Sequence, residues 1–208
     1  MKIKTMHKRR NNRRLGPTFG LVLLIGGLLA VSFSAGAKSL PKPNLGPFYN
    51  PESKSYFELR YDNIGQTLWT DAVRAVSQLS YKGVPGRLAI VRTFATHNFL
   101  REHFRLKQPA WIGLHLDCRT GKLIWSDGKV LQPNGPNLWQ QPWYRIKNYT
   151  CAAQRSNVAR GQFLIMPVAY TPTTNLKNAK AKSPFRWWAT GPHKGYPAYF
   201  VEYPTGKK

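Results

Sequence analysis

The chain has 208 residues and a formal net charge of +24, because 32 Lys and Arg residues stand against only eight Asp and Glu residues. A surface this basic favours anionic partners such as acidic glycans, lipid headgroups or nucleic acid. Two cysteines are too few for a disulfide framework, and the five scattered histidines give no metal-site spacing. The sequence therefore excludes a disulfide-rich scaffold and a Cys/His metal-binding module.

The first 37 residues have the order of a secretory signal peptide. A basic head precedes the uncharged apolar run Leu21–Phe33, and the small residues Ser34–Ala37 then fit a cleavage site. The run of about 13 residues is short for a membrane span, which needs roughly 20. Counting from Phe19 lengthens it enough to leave an uncleaved N-terminal membrane anchor open. Both alternatives predict export, whether secreted, periplasmic or displayed on the cell surface.

The start of the exported part predicts a linker, a strand and a helix. Residues 38–53 are rich in proline and are predicted to be a linker. Tyr56–Tyr61 mixes aromatic and polar residues as a strand does, and Asp62 and Asn63 offer an N-cap for a first helix. The apolar face of that helix is predicted from the spacing of Leu68, Ala72, Val76 and Leu79. Gly83 and Pro85 are expected to end it.

A buried strand and a second helix follow. Leu88–Val91 is a short apolar run typical of a buried strand. A helix is predicted from Thr96 to Phe104, with Phe99, Leu100 and Phe104 facing the core.

The second half of the chain predicts strands. Trp111–Leu114 and Leu123–Trp125 flank a turn as in a hairpin, and Phe163–Val168 and Ala198–Tyr203 read as further strands. The polar segment 171–183 is predicted to be a surface loop, and residues 205–208 form a basic tail. Helices followed by a run of strands indicate the α+β class.

These motifs, in their order and spacing over residues 54–204, resemble the C-type-lectin-like domain. The matching segments are Leu68–Ala72, Gly86–Ala89, Asn98–Leu100, Trp111–Leu114, Trp125–Gly128 and Ala198–Tyr203. The resemblance implies an α+β domain whose two ends meet in a small antiparallel sheet, with a long loop region over a second small sheet. We interpret Trp111 and Trp125 as core anchors.

The sequence departs from the family's calcium-dependent sugar site. The resemblance places the family's two ligand motifs near Gln141–Trp143 and at Arg186–Thr190, where tryptophans replace oxygen ligands. From Gly128 to Val201 there is no Asp or Glu, whereas ten Lys and Arg occur. Because Ca²⁺ takes about 6–8 oxygen ligands that normally include carboxylates, we predict no calcium site of the family type, no other metal and no cofactor.

The two cysteines leave two alternatives. In an oxidising compartment Cys118 and Cys151 can form a disulfide, and otherwise both are buried thiols. The family's closing cysteine would fall at Val201, so its usual disulfide with the first helix is missing. Residues 152–186 form an insertion, which we interpret either as a loop on the binding face or as one without function.

Aromatic and basic residues of the loop region are the candidate ligand contacts. Sugar rings stack on aromatic faces, while sulfate, phosphate or carboxylate groups pair with Lys and Arg. We expect Trp139 and Trp187 to be core, whereas Trp143 and Trp188 can be core or ligand contacts. The predicted site consists of Trp143, Tyr144, Arg145, Lys147, Arg186 and Trp188.

The sequence predicts a binding protein and not an enzyme, since it lacks hydrolase, metalloprotease and phosphate-loop motifs. The first hypothesis is an exported, calcium-independent module that recognises glycan or protein ligands of acidic character. Export argues against nucleic acid, while the basic surface allows association with a membrane surface. The second hypothesis is a structural or interaction protein of the cell envelope.

Overall fold

The two ends of the domain pair with each other in one sheet. The computed structural model describes residues 45–62, 65–140, 151, 165–172 and 185–208, all within a compact unit of residues 39–208. Strand β2 pairs antiparallel with the last strand, β12, from Tyr56 opposite Tyr203 to Tyr61 opposite Ala198. This is the meeting of the two ends that the sequence resemblance implies.

Twelve strands and two helices make up the described α+β architecture. The helices are α1 (Trp69–Ser77) and α2 (Phe94–His103). The strands are β1 (Leu45–Asn50), β2 (Ser55–Tyr61), β3 (Thr67–Leu68), β4 (Ser80–Tyr81), β5 (Val84–Pro85), β6 (Arg87–Leu88), β7 (Ala110–Asp117), β8 (Lys122–Trp125), β9 (Ile165–Thr171), β10 (Arg186–Ala189), β11 (Gly195–Tyr196) and β12 (Ala198–Tyr203).

The main sheet has the order β1-β2-β12-β7-β9-β10, with β6 added on β12 and β8 on β7. Two small antiparallel pairs, β11 with β3 and β4 with β5, complete the pairing. β12 meets β7 in parallel, while all the other pairs are antiparallel. The predicted α+β class is confirmed.

The predicted linker is wrong over its described part. Residues 45–50 form β1, which pairs antiparallel with β2. Proline is tolerated because β1 is the edge strand of the sheet, and the register shifts between Leu45 and Phe48, around Pro47. Proline content alone therefore indicated a linker where an edge strand is formed.

Helix α1 begins later and ends earlier than the sequence predicts. It starts at Trp69 after Leu68, which makes no side-chain cap, so Asp62 is not its N-cap; its carboxylate instead accepts a hydrogen bond from Thr67 Oγ1. Ala72 and Val76 are buried as expected, together with Trp69. The segment after the helix turns back as the β4–β5 hairpin, whose Lys82 and Gly83 both have positive φ.

Helix α2 confirms the predicted core face, since Phe99, Leu100 and Phe104 are all buried. It begins two residues earlier than predicted, at Phe94. Thr93 is its N-cap, and the Thr93 Oγ1 accepts a hydrogen bond from the backbone N–H of Thr96 at 3.0 Å. This bond satisfies one of the amides left open at a helix start.

The β7–β8 hairpin brings two sequence motifs together at Gly113. The backbone N–H of Gly113 donates to the carbonyl of Ala89, and its own carbonyl accepts from Ser126 N–H. A Cβ at Gly113 would lie 2.5 Å from Ser126 Oγ and 2.6 Å from the carbonyl oxygen of Leu88. Only glycine allows this approach, which locks β7 to the turn after β8.

The core lies on both faces of the sheet. One cluster holds α1 against Trp111, Ala169 and Val201, and the other packs α2 and Trp125 on the opposite face. Trp111 is fully buried and donates its indole N–H to the carbonyl of Thr67 at 2.7 Å. Trp125 is also buried, so both tryptophans are core anchors as predicted.

The N-terminal signal or anchor (1–37), segment 38–44 and most of loop 171–183 lie outside the described residues. Among the described helices, neither is long and apolar enough to cross a membrane. Insertion 152–186 contributes β9 to the sheet, where it lies between β7 and β10. Part of this segment is therefore structural.

Candidate functional site

Strand β10 places two of the predicted site residues side by side. Arg186 and Trp188 are two positions apart, so their side chains lie on the same face of the strand, and both are half-buried. Their register partners on β9 are Thr171 and Ala169. Trp187, between them, points to the other face and is fully buried. The structure therefore forms an aromatic–basic pair from Arg186 and Trp188.

The segment Leu138–Gln140, just before the other predicted site residues, holds the outer edge of β10. Trp187 N–H donates to the carbonyl of Leu138 at 2.8 Å, and Gln140 N–H donates to the carbonyl of Trp187 at 3.0 Å. Trp139 is buried and meets Trp187 edge to face, which confirms both as core. Four predicted site residues lie outside the described residues, namely Trp143, Tyr144, Arg145 and Lys147.

The cation of Arg186 has no carboxylate partner. All eight acids of the chain lie among the described residues, and within that part of the chain Arg186 forms no ion pair. The Glu202 carboxylate is buried and accepts hydrogen bonds from Arg87, Ser55 Oγ and the backbone N–H of Ile90. Glu202 therefore joins β12 to β2, β6 and Ile90 and makes no ion pair with Arg186.

The two acids nearest the loop region in the sequence, Asp117 and Asp127, also accept hydrogen bonds from protein donors. Asp117 caps the β7–β8 turn, where it accepts from Arg119 N–H and Thr120 Oγ1, each at 2.8 Å. Asp127 accepts from Arg92 through both carboxylate oxygens. Burial raises the pKa of each carboxyl, but hydrogen bonds outweigh it and leave both pKa values below the ordinary value. Both groups are ionised partners of protein donors at neutral pH.

Two cavities of about 370 Å³ each flank the loop after β8. The first, the Phe94 cleft, is lined by Arg92, Thr93 and Phe94 on one side and by Gln132, Asn134 and Gly135 on the other. The second, the Trp139 cleft, is lined by Lys122, Val130, Asn137 and Trp139. Leu131, Gln132, Gly135 and Pro136 line both.

Arg186 and Trp188 line neither of these clefts. Sequence reasoning did not select the cleft residues, because Phe94 lies two residues before the predicted helix and nothing in the sequence indicates that its ring is exposed.

The topology decides the fold. The two ends of the domain pair as β2 and β12, both helices precede β7, and the described part of residues 126–185 contains β9 and the loop that lines both clefts. The fold is C-type-lectin-like.

Solved structures with similarity to this chain include three such domains. The human scavenger receptor C-type lectin carbohydrate-recognition domain is 14% identical, with 76% of this chain and 96% of that chain covered and a TM-score of 0.44. The cow C-type carbohydrate-recognition domain of CD23 is 19% identical, with 72% and 87% covered and a TM-score of 0.43. The mouse scavenger receptor domain is 13% identical, with 70% and 88% covered and a TM-score of 0.42. No protein-family model and no curated protein matches the sequence.

Residues 186–189, where the sequence resemblance predicted the family's second calcium motif, form β10. Residues 186–190 offer no carboxylate or amide side chain there. Among the described residues, no group of three or more His, Cys, Asp and Glu side chains is placed to hold a metal ion. Gln141–Trp143, which match the first motif, lie outside the described residues, so the absence of a calcium site stays a prediction.

Cys118 and Cys151 are joined by a disulfide, with their Cα atoms 5.4 Å apart. Of the two alternatives left by the sequence, the structure has the bridge. It ties Cys118, directly after β7, to Cys151 in the loop region. The bond closes a loop with a sequence separation of 33 residues.

His97 is a buried titratable group that the sequence did not single out. Its Nδ1 lies 3.0 Å from the hydroxyl of Tyr170 on β9. Burial, followed by the positive charges of Arg101 and Arg186, lowers the pKa of His97 to about 4. Burial also raises the pKa of Tyr170 far above its ordinary value, so both groups are neutral at pH 7.

Proposed function

We propose that the chain is an exported recognition module that binds glycan or protein ligands of acidic character without calcium. The observation on which this proposal chiefly rests is the Arg186–Trp188 pair on β10. An aromatic ring and an unmatched guanidinium share one half-buried face there. The surrounding sequence from Gly128 to Val201 contains no acid.

The chemistry of the pair fits an anionic, ring-containing ligand. The face of an indole attracts the C–H surface of a sugar ring. A guanidinium forms paired hydrogen bonds with a carboxylate, sulfate or phosphate. Because no carboxylate of the protein neutralises Arg186 in the described part of the chain, an incoming anion does not have to displace one. Trp143, Tyr144, Arg145 and Lys147 are proposed as further contacts.

The distribution of carboxylates supports calcium independence. The two acids nearest the loop region, Asp117 and Asp127, already accept hydrogen bonds from backbone amides and from Arg92. A calcium ion would have to break these bonds and would also meet the basic residues of the loop region, which repel it. Recognition through the Arg186–Trp188 face requires no such ion.

Export is supported by two independent features. The N-terminal segment has the basic head, apolar run and small-residue cleavage site of a signal peptide. The Cys118–Cys151 disulfide is of the kind that persists in oxidising compartments and is rare in the cytosol.

A glycan-array profile of the purified protein, run with calcium and with a chelator, tests the proposal. The wild type is compared with Trp188→Ala and Arg186→Gln. Arg105→Gln is the matched control, because Arg105 is an exposed arginine beyond the end of α2. The expected result is a signal on acidic glycans that survives chelation, falls in both β10 variants and is kept in the control.

The other outcomes reject parts of the proposal. Signal lost on chelation would contradict calcium independence. Equal signal from the β10 variants and the wild type would remove β10 from the site. A blank array in both buffers would favour protein recognition or the alternative function, a structural or interaction protein of the cell envelope. Unfolding curves of the variants separate lost binding from lost folding.

A further inference from the structure

The Phe94 cleft has the chemistry of a site for a neutral ligand. Its charged lining group is Arg92, whose guanidinium is already paired with both carboxylate oxygens of Asp127. The other polar lining groups, from Thr93, Gln132 and Asn134, are a hydroxyl and two amides. Neutral donors and acceptors of this kind match ligand hydroxyls and amides. An anionic ligand, by contrast, would meet an Arg92 whose charge is already balanced by Asp127.

An exposed aromatic ring lines the same cleft as these polar groups. Phe94 is 57% exposed, which makes it the most exposed large apolar side chain among the described residues. It lies at the first position of α2 and lines the cleft. A ring on one wall and amides on the other provide the two contacts that a sugar presents, an apolar C–H face and a rim of hydroxyls.

The walls of the cleft are held by contacts within the protein. On one side, Thr93 caps α2 and the Asp127 carboxylate holds Arg92. On the other side, Gly135 N–H donates to the carbonyl of Gln132 at 3.1 Å and closes the turn. A Cβ at Gly135 would lie 3.2 Å from that carbonyl oxygen and 3.6 Å from the carbonyl oxygen of Arg92, so the turn packs close to the opposite wall.

The size of the clefts indicates a ligand longer than one ring. Each cavity measures about 370 Å³, near the lower end of the roughly 300–1,000 Å³ typical of ligand sites. The two cavities share the lining residues Leu131, Gln132, Gly135 and Pro136 and therefore lie next to each other at this loop. The second cavity adds the partly exposed Val130, the amide of Asn137 and the exposed Lys122. An oligosaccharide with one ring in the Phe94 cleft would therefore have the second cleft beside it.

We infer that the Phe94 and Trp139 clefts together bind a neutral oligosaccharide, with one ring against Phe94 and its hydroxyls on the amides of Gln132 and Asn134. This inference rests on the proposed recognition function, but it concerns a different surface and a different ligand charge. It gives the protein two subsites, a neutral one at the clefts and an acidic one at β10.

Titration of the ¹⁵N-labelled protein with neutral saccharides tests the inference. The probes are cello-, malto- and N-acetylated chito-oligosaccharides, each as monomer, dimer and tetramer. The readout is the movement of the Gly135 backbone amide and the Asn134 side-chain amide in ¹H–¹⁵N spectra. At least one series is expected to shift both signals, with a tighter Kd for the tetramer than for the monomer.

The variant Phe94→Ala is expected to weaken that binding roughly tenfold, which is the loss of about one good stacking contact. The matched control is Phe48→Ala, since Phe48 is also partly exposed and packs against Phe104 instead of the clefts. The control is expected to keep the wild-type Kd. High salt is expected to leave the Kd of the wild type unchanged, because the saccharide carries no charge.

Two results would overturn the inference: no saccharide series moves the Gly135 amide, or Phe94→Ala binds as tightly as the wild type. Failure here is separable from failure of the proposed function. Acidic-glycan binding depends on Arg186 and Trp188 and is expected to survive Phe94→Ala. Conversely, a shift of Gly135 by neutral saccharides would stand even if no acidic glycan bound.

Discussion

Protonation of His97 is expected to destabilise the fold as the pH falls below neutrality. His97 is 3% exposed, with its Nδ1 3.0 Å from the Tyr170 hydroxyl. Burial lowers the pKa of His97 most, and the positive charges of Arg101 on its own helix and Arg186 on β10 lower it further, to about 4. A proton on His97 therefore adds a third positive charge to a buried position.

The direction and size of the stability change follow from the pKa of His97 in the unfolded and in the folded chain. In the unfolded chain a histidine takes up its proton near pH 6.5, whereas the folded chain resists it until about pH 4. Stability is thus fully present above about pH 6.5 and is lost as the pH falls through this window, because the unfolded state binds more protons. At about 1.4 kcal/mol per pH unit, the loss reaches at most about 3 kcal/mol.

The assay is urea unfolding at a series of pH values from about pH 7 to about pH 4.5. The comparison variant is His97→Gln, which keeps a hydrogen-bonding group near Tyr170 and removes the titration. Burial also lowers the pKa of His115, with Asp117 acting in the opposite direction, so the wild type has a second contribution of the same sign. The difference between the two curves isolates His97. Parallel curves for the wild type and His97→Gln would refute the reasoning.

Three further predictions concern the stability of the fold. The double variant Cys118→Ser/Cys151→Ser is expected to lose about 3–4 kcal/mol in urea unfolding, because the disulfide closes a loop of 33 residues. A reductant should destabilise the wild type equally and the variant not at all, and an effect on both would contradict this account. Glu202→Gln removes the buried carboxylate that pairs with the half-buried Arg87 and is expected to cost about 2 kcal/mol, the size of a hydrogen bond to a charged group, against less than about 1 kcal/mol for the exposed control Glu102→Gln. Thr93→Ala removes the N-cap of α2 and is expected to cost about 1 kcal/mol, and an unchanged midpoint of unfolding would show that the cap bond contributes nothing.

Local patterns predicted the elements that depend on neighbouring residues. The core face of α2 follows from the spacing of Phe99, Leu100 and Phe104, and all three are buried. The β7–β8 hairpin and β12 follow from short apolar runs next to turn residues. By contrast, the start of α1 at Trp69 depends on β3 pairing with β11, more than a hundred residues away. No local N-cap signal reports that pairing.

For the candidate site, the sequence showed the chemical types of the residues but not where the fold places them. Arg186 and Trp188 were chosen as an aromatic and a basic residue in an acid-free stretch. The sequence showed neither β10 nor its register on β9, and these put both side chains on one face. The Phe94 cleft was missed, because it forms only where the start of α2 meets a loop about 40 residues later in the chain.

The sequence by itself determined the charge, the two helices, most long strands and the burial of Trp111 and Trp125, since composition and periodicity act over a few residues. Tertiary structure alone decided that the proline-rich segment 45–50 pairs as an edge strand and that Cys118 meets Cys151. It also decided that none of the eight carboxylates forms an ion pair with Arg186. These outcomes depend on contacts between residues far apart in the chain, and such contacts form only when the whole sheet is assembled.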